Sequence, residues 1–314
     1  MAPEHSSTLT ERAEQLGNIA ILTGGISPER PIALASGAAV LASLQSVTQH
    51  LQYIDLTRSK VRNLAQLQAD VVFLALHGTG GEDGSIQGLL QWLGIPYTGS
   101  GVMSSALAMD KYTSKLIWQA LDLPTPHFQL ITKEADLARL DIPLPLAIKP
   151  AQEGSSIGIS KITRKEQLIA AWQQARTYGT EILAESWVTG PEFTLAFLGD
   201  LFLPMIKVVP QRGFYDYAAK YQSGNTQYVF EHGLTAAHLQ TAHTLAKAAC
   251  QALHVMDFGR VDMILDQQDQ FQLLEVNTIP GMTTHSLLPK AAERAGIHFT
   301  ELVIRMLELA KRRR

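Results

Sequence analysis

An α/β fold that opens on a parallel sheet is the architecture this 314-residue sequence predicts, and three observations predict it. Up to residue 100, short apolar runs alternate with helical stretches, the pattern of strands joined by crossover helices. The apolar runs at 19–23 and 71–76 both end in glycine-rich chain, GGISPER and HGTGGEDG, as strands do where a sheet edge carries loops. From residue 101 the style changes to a helical stretch and short strands, which predicts α+β units beyond the first sheet.

Taken in order, residues 19–23 read as a buried strand closed by Gly24-Gly25. Pro31 suits the first turn of a helix over 31–44, where a missing N–H costs nothing. Strands follow at 51–56 and 71–76, then a helix at 85–93, and IPYTGSG breaks the pattern. One long helix is expected through Met109-Asp110-Lys111, then short strands in PLAIKP, ISKI and EILAES. Apolar strands cover 192–209, interrupted by Gly199-Asp200. The stretch 212–228 fits neither periodicity, and a loop of that length is usually functional or disordered. A helix at 236–253, strands at 259–266 and 271–278 and two helices near 287–296 and 298–311 complete the chain. Boundaries are expected near 100 and 190, giving a polar leader (1–18), an N-terminal domain (19–100), a central unit (101–190) and a C-terminal unit (191–314). The leader lacks the apolar stretch of a signal peptide and is expected to be disordered.

Composition excludes several classes. Hydrophobic residues at 46% and charged residues at 18% fit a soluble globular protein. A net charge of −3 offers no basic field for nucleic acid, and the terminal KRRR suits a helix end, so no nucleic-acid partner is expected. No apolar run approaches the ~20 residues that cross a bilayer, so no membrane association is expected. The single cysteine, Cys250, excludes an internal disulfide and suits a reducing cytosol. Its Ala-rich helical surroundings read as burial, not as those of a nucleophile.

The segments GRVDMILD and QFQLLEVN carry the richest chemistry. With a hairpin turn centred between Gln268 and Asp269, Asp262 faces Glu275 and Arg260 faces Asn277. Val261, Met263 and Leu265 then share one face with Leu274 and Val276 across from them, and the polar residues share the other. Opposed Cβ atoms lie about 4.5–5.5 Å apart, where two carboxylates repel unless something positive is near. Two carboxylates and an amide oxygen are hard donors that suit Mg²⁺ and leave positions for water and phosphates. The other reading is an exposed hairpin face that Arg260 partly neutralises.

Elsewhere, IKPAQEGSSIGISK sets Lys149 at a strand end before small residues that let backbone N–H groups approach an anion. Gly-Ser-Ser serves equally as a plain turn. Neither G-x-x-x-x-G-K-[ST] nor G-x-G-x-x-G occurs. Lys111 reads as an ordinary exposed lysine unless another element covers it. Glu29 and His77 fall at carboxyl ends of parallel strands, where ligands gather. Glu29 could accept an ammonium, or simply favour the first turn of the next helix.

In order along the chain, GGISPER, HGTGGEDGSIQG, GIPYTGSG, AMDK, IKPAQEGSSIG, GPEF, YDYAAKY, GRVD and EVNTIPGMTTHSLLP resemble the D-alanine–D-alanine ligases of the ATP-grasp superfamily. The resemblance runs from residue 19 to 311; each motif is modest, and the ordered set is specific. It implies a three-domain ATP-grasp fold with the nucleotide between the central and C-terminal units. It also implies ATP-dependent joining of two D-alanines through an acyl phosphate, giving ADP and phosphate, for peptidoglycan precursors, by a cytoplasmic homodimer.

By the same resemblance, Asp262, Glu275 and Asn277 would bind two Mg²⁺ ions, with Mn²⁺ as an alternative. Lys111, Lys149 and Lys220 would meet the phosphates beneath the turn of Ser155 and Ser156. Glu185, Ser186 and Val188 would meet adenine, and Glu192 the ribose. Glu29 and His77 would orient the first D-alanine, with Ser155 and Tyr221 linking to Glu29. Arg260 and the Gly281 backbone would hold the oxyanion, and Ser286 and Leu287 the second D-alanine. Pro31, Ala33, Ser186 and Ala218 depart from the usual pattern. D-alanine–D-lactate and D-alanine–D-serine ligases share the fold and the first half-reaction; Tyr221 favours the dipeptide, since lactate-forming relatives often carry Phe there. A nucleotide-binding regulatory protein without turnover would retain the clasp, but it could lose Arg260, Asp262, Glu275 and Asn277, all present here.

Overall fold

The computed structural model describes residues 8–154, 156–210 and 226–312. Helix α1 (Leu9–Gln15) leads into β1 (Ile19–Gly24), α2 (Arg30–Leu44), β2 (Leu51–Leu56), β3 (Val71–Leu74) and α3 (Ser85–Trp92). Next come α4 (Val102–Met109), α5 (Lys111–Ala120), β4 (Phe128–Ile131), β5 (Leu146–Pro150), β6 (Ser160–Ile162), α6 (Leu168–Arg176) and β7 (Ile182–Ser186). The chain continues through β8 (Glu192–Leu198), β9 (Leu201–Phe202), β10 (Ile206–Val209), β11 (Gln227–Val229) and α7 (Ala236–Ala252). It closes with β12 (Phe258–Leu265), β13 (Phe271–Asn277), α8 (Leu287–Arg294) and α9 (Phe299–Arg312). No helix among the described residues is long and apolar enough to cross a membrane.

The described strands form three sheets. The first is parallel, in the order β2-β1-β3, with Ile19 opposite both Leu51 and Val71. Every residue of β1 is buried, because helices cover both faces of this central strand. Ile19, Ile21 and Phe73 pack with Val40 and Leu44 of α2 and with Val303 and Leu307 of α9. Ala20, Leu22 and Leu74, pointing the other way, pack with Ile86 and Leu90 of α3. The second sheet runs antiparallel, β4-β7-β5-β6, over a core where Ile131, Ile148 and Ile182 meet Ala171 and Ala175 of α6. The third follows the path β11-β10-β8-β12-β13, with β9 beside β8. Its core joins Met263 and Leu273 to Trp118 of α5 and to Ala246 and Ala249 of α7.

Three expectations are corrected. The helix through Met109-Asp110-Lys111 is two helices: Asp110 is extended, and its carboxylate accepts the Thr113 N–H at 2.8 Å. Aspartate is a strong N-cap, so it starts α5 afresh and sets Lys111 in the first turn. The leader is not wholly irregular, because Thr8 and Glu11 form a capping box for α1. Arg12 also grips Glu308 through two hydrogen bonds of 2.8 Å, and Ala13 and Leu16 are buried.

The third correction lies in the hairpin. Arg260 faces Asn277 and Asp262 faces Glu275 as expected, but Met263 faces Leu273 and Leu265 faces Phe271. Leu274 is therefore an extra residue, a β-bulge, and the turn centres on Gln268. Within the turn the Asp266 carboxylate accepts the N–H groups of Gln268 and Gln270, each at 2.9 Å. The bulge turns Leu274 to the cleft side beside Glu275 instead of leaving it with buried Val276.

Candidate active site

Two cavities meet where the sheets converge. The smaller, about 110 Å³, is lined by Glu29, His77, Arg260, Asn277, Gly281, Ser286 and Leu287. The larger, about 470 Å³, lies between the second and third sheets and is lined by Lys149, Ser156, Glu185, Ser186, Val188, Glu192 and Asp262. Lys111 and Glu275 line both. Every described residue of the expected site thus borders one cavity or the other, while Ser155, Lys220 and Tyr221 lie outside the described residues.

The N-terminal loops build one wall of the smaller cavity. The Ser27 hydroxyl donates to the His77 carbonyl at 2.6 Å and accepts the Glu29 N–H at 3.2 Å, tying the two motifs together. Burial lowers the pKa of His77 against the opposing pull of Glu29, so its ring is neutral at ordinary pH. Gly78 has φ +65°, and a Cβ there would lie 2.8 Å from Glu29 Oε2; one on Gly154 would lie 2.9 Å from the same oxygen. The glycines therefore let the His77 loop and the chain at Gly154 lie close against Glu29.

Sequence reasoning missed Glu82. Its carboxylate accepts the Gly78 N–H at 2.6 Å, and burial, reinforced by Glu29, pushes its pKa up to about 8. An acid inside a glycine-rich loop directly after a buried strand was the available signal.

The hairpin supplies the shared wall. Arg260 donates to both oxygens of Asp262, at 2.8 and 2.7 Å, and Thr194 donates to Oδ1 at 2.6 Å. Lys111 sits 3.0 Å from Glu275 Oε2 and donates to the Glu153 carbonyl at 2.7 Å. Lys111 is therefore buried, not an ordinary exposed lysine. Burial opposes its charge, yet Glu275 and the other carboxylates outweigh that and raise its pKa. Arg260 and Lys111 thus supply the positive charge that two opposed carboxylates require.

The donors fit a hard divalent ion. Asp262 and Glu275 offer carboxylate oxygens on facing strands, and Asn277 Oδ1 is fixed by the Ile279 N–H at 3.1 Å. Among the described residues no group of three or more His, Cys, Asp or Glu gathers for a metal. The protein donors are few, which suits Mg²⁺ shared with phosphate oxygens.

On the lining of the larger cavity, Glu185 takes two lysines: Lys149 at 2.9 Å on Oε1 and Lys115 at 2.6 Å on Oε2. Burial opposes ionisation of Glu185, but the two cations outweigh it and hold its pKa below the ordinary carboxylate value. Lys161 stands 4.4 Å over the Trp187 ring on the same cavity's lining. On the lining of the smaller cavity, the Ser286 hydroxyl accepts the Thr283 N–H at 3.0 Å; a Cβ on Gly281 would lie 2.8 Å from that oxygen. Lys115, Lys161 and Trp187 gave no usable sequence signal, because only tertiary contact brings them to the site.

Two family models match the chain: "D-ala D-ala ligase N-terminus" over residues 57–100 and "D-ala D-ala ligase C-terminus" over 117–308. A D-alanine–D-alanine ligase of Pseudomonas putida (strain GB-1) is 46% identical over 303 residues, covering 96% of this chain and 95% of the relative. One from Stutzerimonas stutzeri (strain A1501) is 46% identical over 301 residues, covering 95% and 96%. Among solved structures, the Bacillus anthracis D-alanine–D-alanine ligase complexed with ATP superposes with a TM-score of 0.81 at 32% identity, covering 94% of this chain and 97% of that one. The VanG D-Ala:D-Ser ligase of Enterococcus faecalis gives 0.80 at 27% identity, covering 94% and 100%.

Proposed function

Because the chain belongs to the D-alanine–D-alanine ligase family, we propose that its two cavities divide one reaction, with ATP in the larger and both D-alanines in the smaller. The chain joins two D-alanines at the expense of ATP to give D-alanyl-D-alanine, ADP and phosphate, a step of peptidoglycan precursor synthesis. The observation that carries the division of labour is the Lys111–Glu275 pair, which belongs to both cavities. A phosphate presented from one side there meets a carboxylate held on the other.

In this reading Glu29 receives the ammonium of the first D-alanine beside the neutral His77 ring. Lys111 and Lys149 draw the phosphates, Glu185, Ser186 and Val188 take the adenine, and Glu192 takes the ribose. Bound at Asp262, Glu275 and Asn277, Mg²⁺ would offset charge during phosphoryl transfer. The carboxylate of the first D-alanine, a poor electrophile, becomes an acyl phosphate, and the amine of the second attacks it. Arg260, its guanidinium plane fixed by Asp262, stabilises the resulting oxyanion together with the Gly281 N–H. Each well-placed donor contributes about 3–4 kcal/mol. Ser286 and Leu287 hold the second D-alanine at the start of α8, where the helix N-terminus favours a carboxylate. Division of the chain near residues 100 and 190 and assembly as a homodimer belong to the same proposal.

The test is purified protein with ATP, Mg²⁺ and a range of D-alanine concentrations. Equal yields of phosphate and dipeptide are expected, and no phosphate release at any concentration rejects the assignment. Replacing the second D-alanine with D-serine or D-lactate then reads acceptor choice, for which the dipeptide-forming reaction is expected to dominate.

A further inference from the structure

Lys115 is a buried cation that the mechanism above does not use. It lies on α5, has no exposed surface, and lines neither cavity. Its ammonium donates to Thr125 Oγ1 at 2.6 Å and to the Leu273 carbonyl at 3.3 Å, and forms an ion pair with Glu185 Oε2 at 2.6 Å. Thr125 also donates to the Leu273 carbonyl at 2.8 Å, so the ammonium is anchored on the strand that carries the bulge. Lys149 differs: it reaches Glu185 Oε1 from the wall of the larger cavity.

One buried carboxylate thus has two lysines, one facing the cavity and one behind it. If Lys149 turned toward an anion and Glu185 had no other partner, a charge would be left uncompensated in the interior, which is strongly unfavourable. We propose that Lys115 is a positioning residue for the nucleotide: by holding Glu185 from behind, it lets Lys149 engage a phosphate without stranding the carboxylate. Burial lowers the pKa of Lys115 to about 8, so the ammonium remains charged at neutral pH. The inference rests on the reading that the larger cavity takes ATP.

A double-mutant cycle read by calorimetric titration with ADP tests it, using the full chain, Lys115→Met, Glu185→Gln and the double variant. In the native background Lys115→Met is expected to weaken ADP binding about tenfold or more. In the Glu185→Gln background, where no carboxylate competes for Lys149, the same change is expected to shift affinity about twofold or less. Lys115→Arg, which keeps the charge, is expected to recover part of the loss. Equal losses in both backgrounds would mean that Lys115 only braces Thr125 and the Leu273 carbonyl, and would overturn the inference. If Lys115→Met does not fold, recovery of folding in the double variant supports the charge argument, whereas a double variant that fails where Glu185→Gln folds overturns it. Failure of the unsubstituted chain to bind ADP is a different outcome and removes the reading of the cavity itself.

Discussion

Burial gives Glu82 a titration that should be visible in stability. Its pKa rises from 4.5 to about 8 on folding, burial being the main cause and Glu29 the next. Between those values the folded protein holds a proton that the unfolded chain has released, so stability falls as pH rises. The contribution is fully present below pH 4.5 and is lost by about pH 8. Glu82→Gln cannot lose that proton. Its melting temperature is expected to gain on the unsubstituted protein between pH 5 and 8.5, and a difference that stays constant across that range contradicts the assignment. Single residues also mark the limit of sequence reading. Glu29, His77, Arg260 and Glu275 were legible because each stands in a distinctive local string, and Glu82 shares the string of His77, whereas Lys115 matters only through partners that folding brings to it.

At the scale of elements, most strands and helices were legible because burial imposes a period of two or 3.6 on apolar residues. What escaped was set by single hydrogen bonds or single residues. The Asp110 cap cuts one apparent helix in two, the Thr8–Glu11 box orders a polar segment, and Leu274 adds one residue to a strand. β4 has its buried residues, Phe128 and Ile131, at its two ends, so no period of two registers. The bulge has its own test. With Leu274 deleted, Met263 facing Leu273 and Asp262 facing Glu275 become a regular ladder that still turns Glu275 to the cleft. The variant is expected to fold and to bind D-alanine with little change while its KM for ATP rises, since Leu274 lines only the larger cavity. A change confined to the KM for D-alanine would contradict this geometry.

Across the whole molecule, the end of the chain secures its beginning. Helix α9 covers the first sheet beside α2, and the same core reaches Ala196 and Leu198 of the third sheet. The smaller cavity, built from both sheets, thereby has walls joined by packed apolar contact as well as by loops. Leu307 is fully buried at this junction and far from the chemistry in role. Leu307→Ala is expected to cost about 2–5 kcal/mol in denaturant unfolding while leaving both KM values unchanged where the variant is folded. A cost below about 0.5 kcal/mol would mean that the helix is not a structural lock. The pattern of apolar residues in 299–312 announced the helix, but not which sheet it would cover, because an amphipathic face does not specify its partner.

Under the proposed division of the two cavities, the wall they share is where nucleotide and amino acid meet, and Glu275 is its acidic half. Steady-state turnover of Glu275→Ala, with ATP, Mg²⁺ and D-alanine at saturation and folding checked by thermal melting, tests that most directly. The kcat is expected to fall about a hundredfold or more with the melting transition retained. A folded Glu275→Ala protein whose kcat and Mg²⁺ dependence match the unsubstituted chain would contradict it.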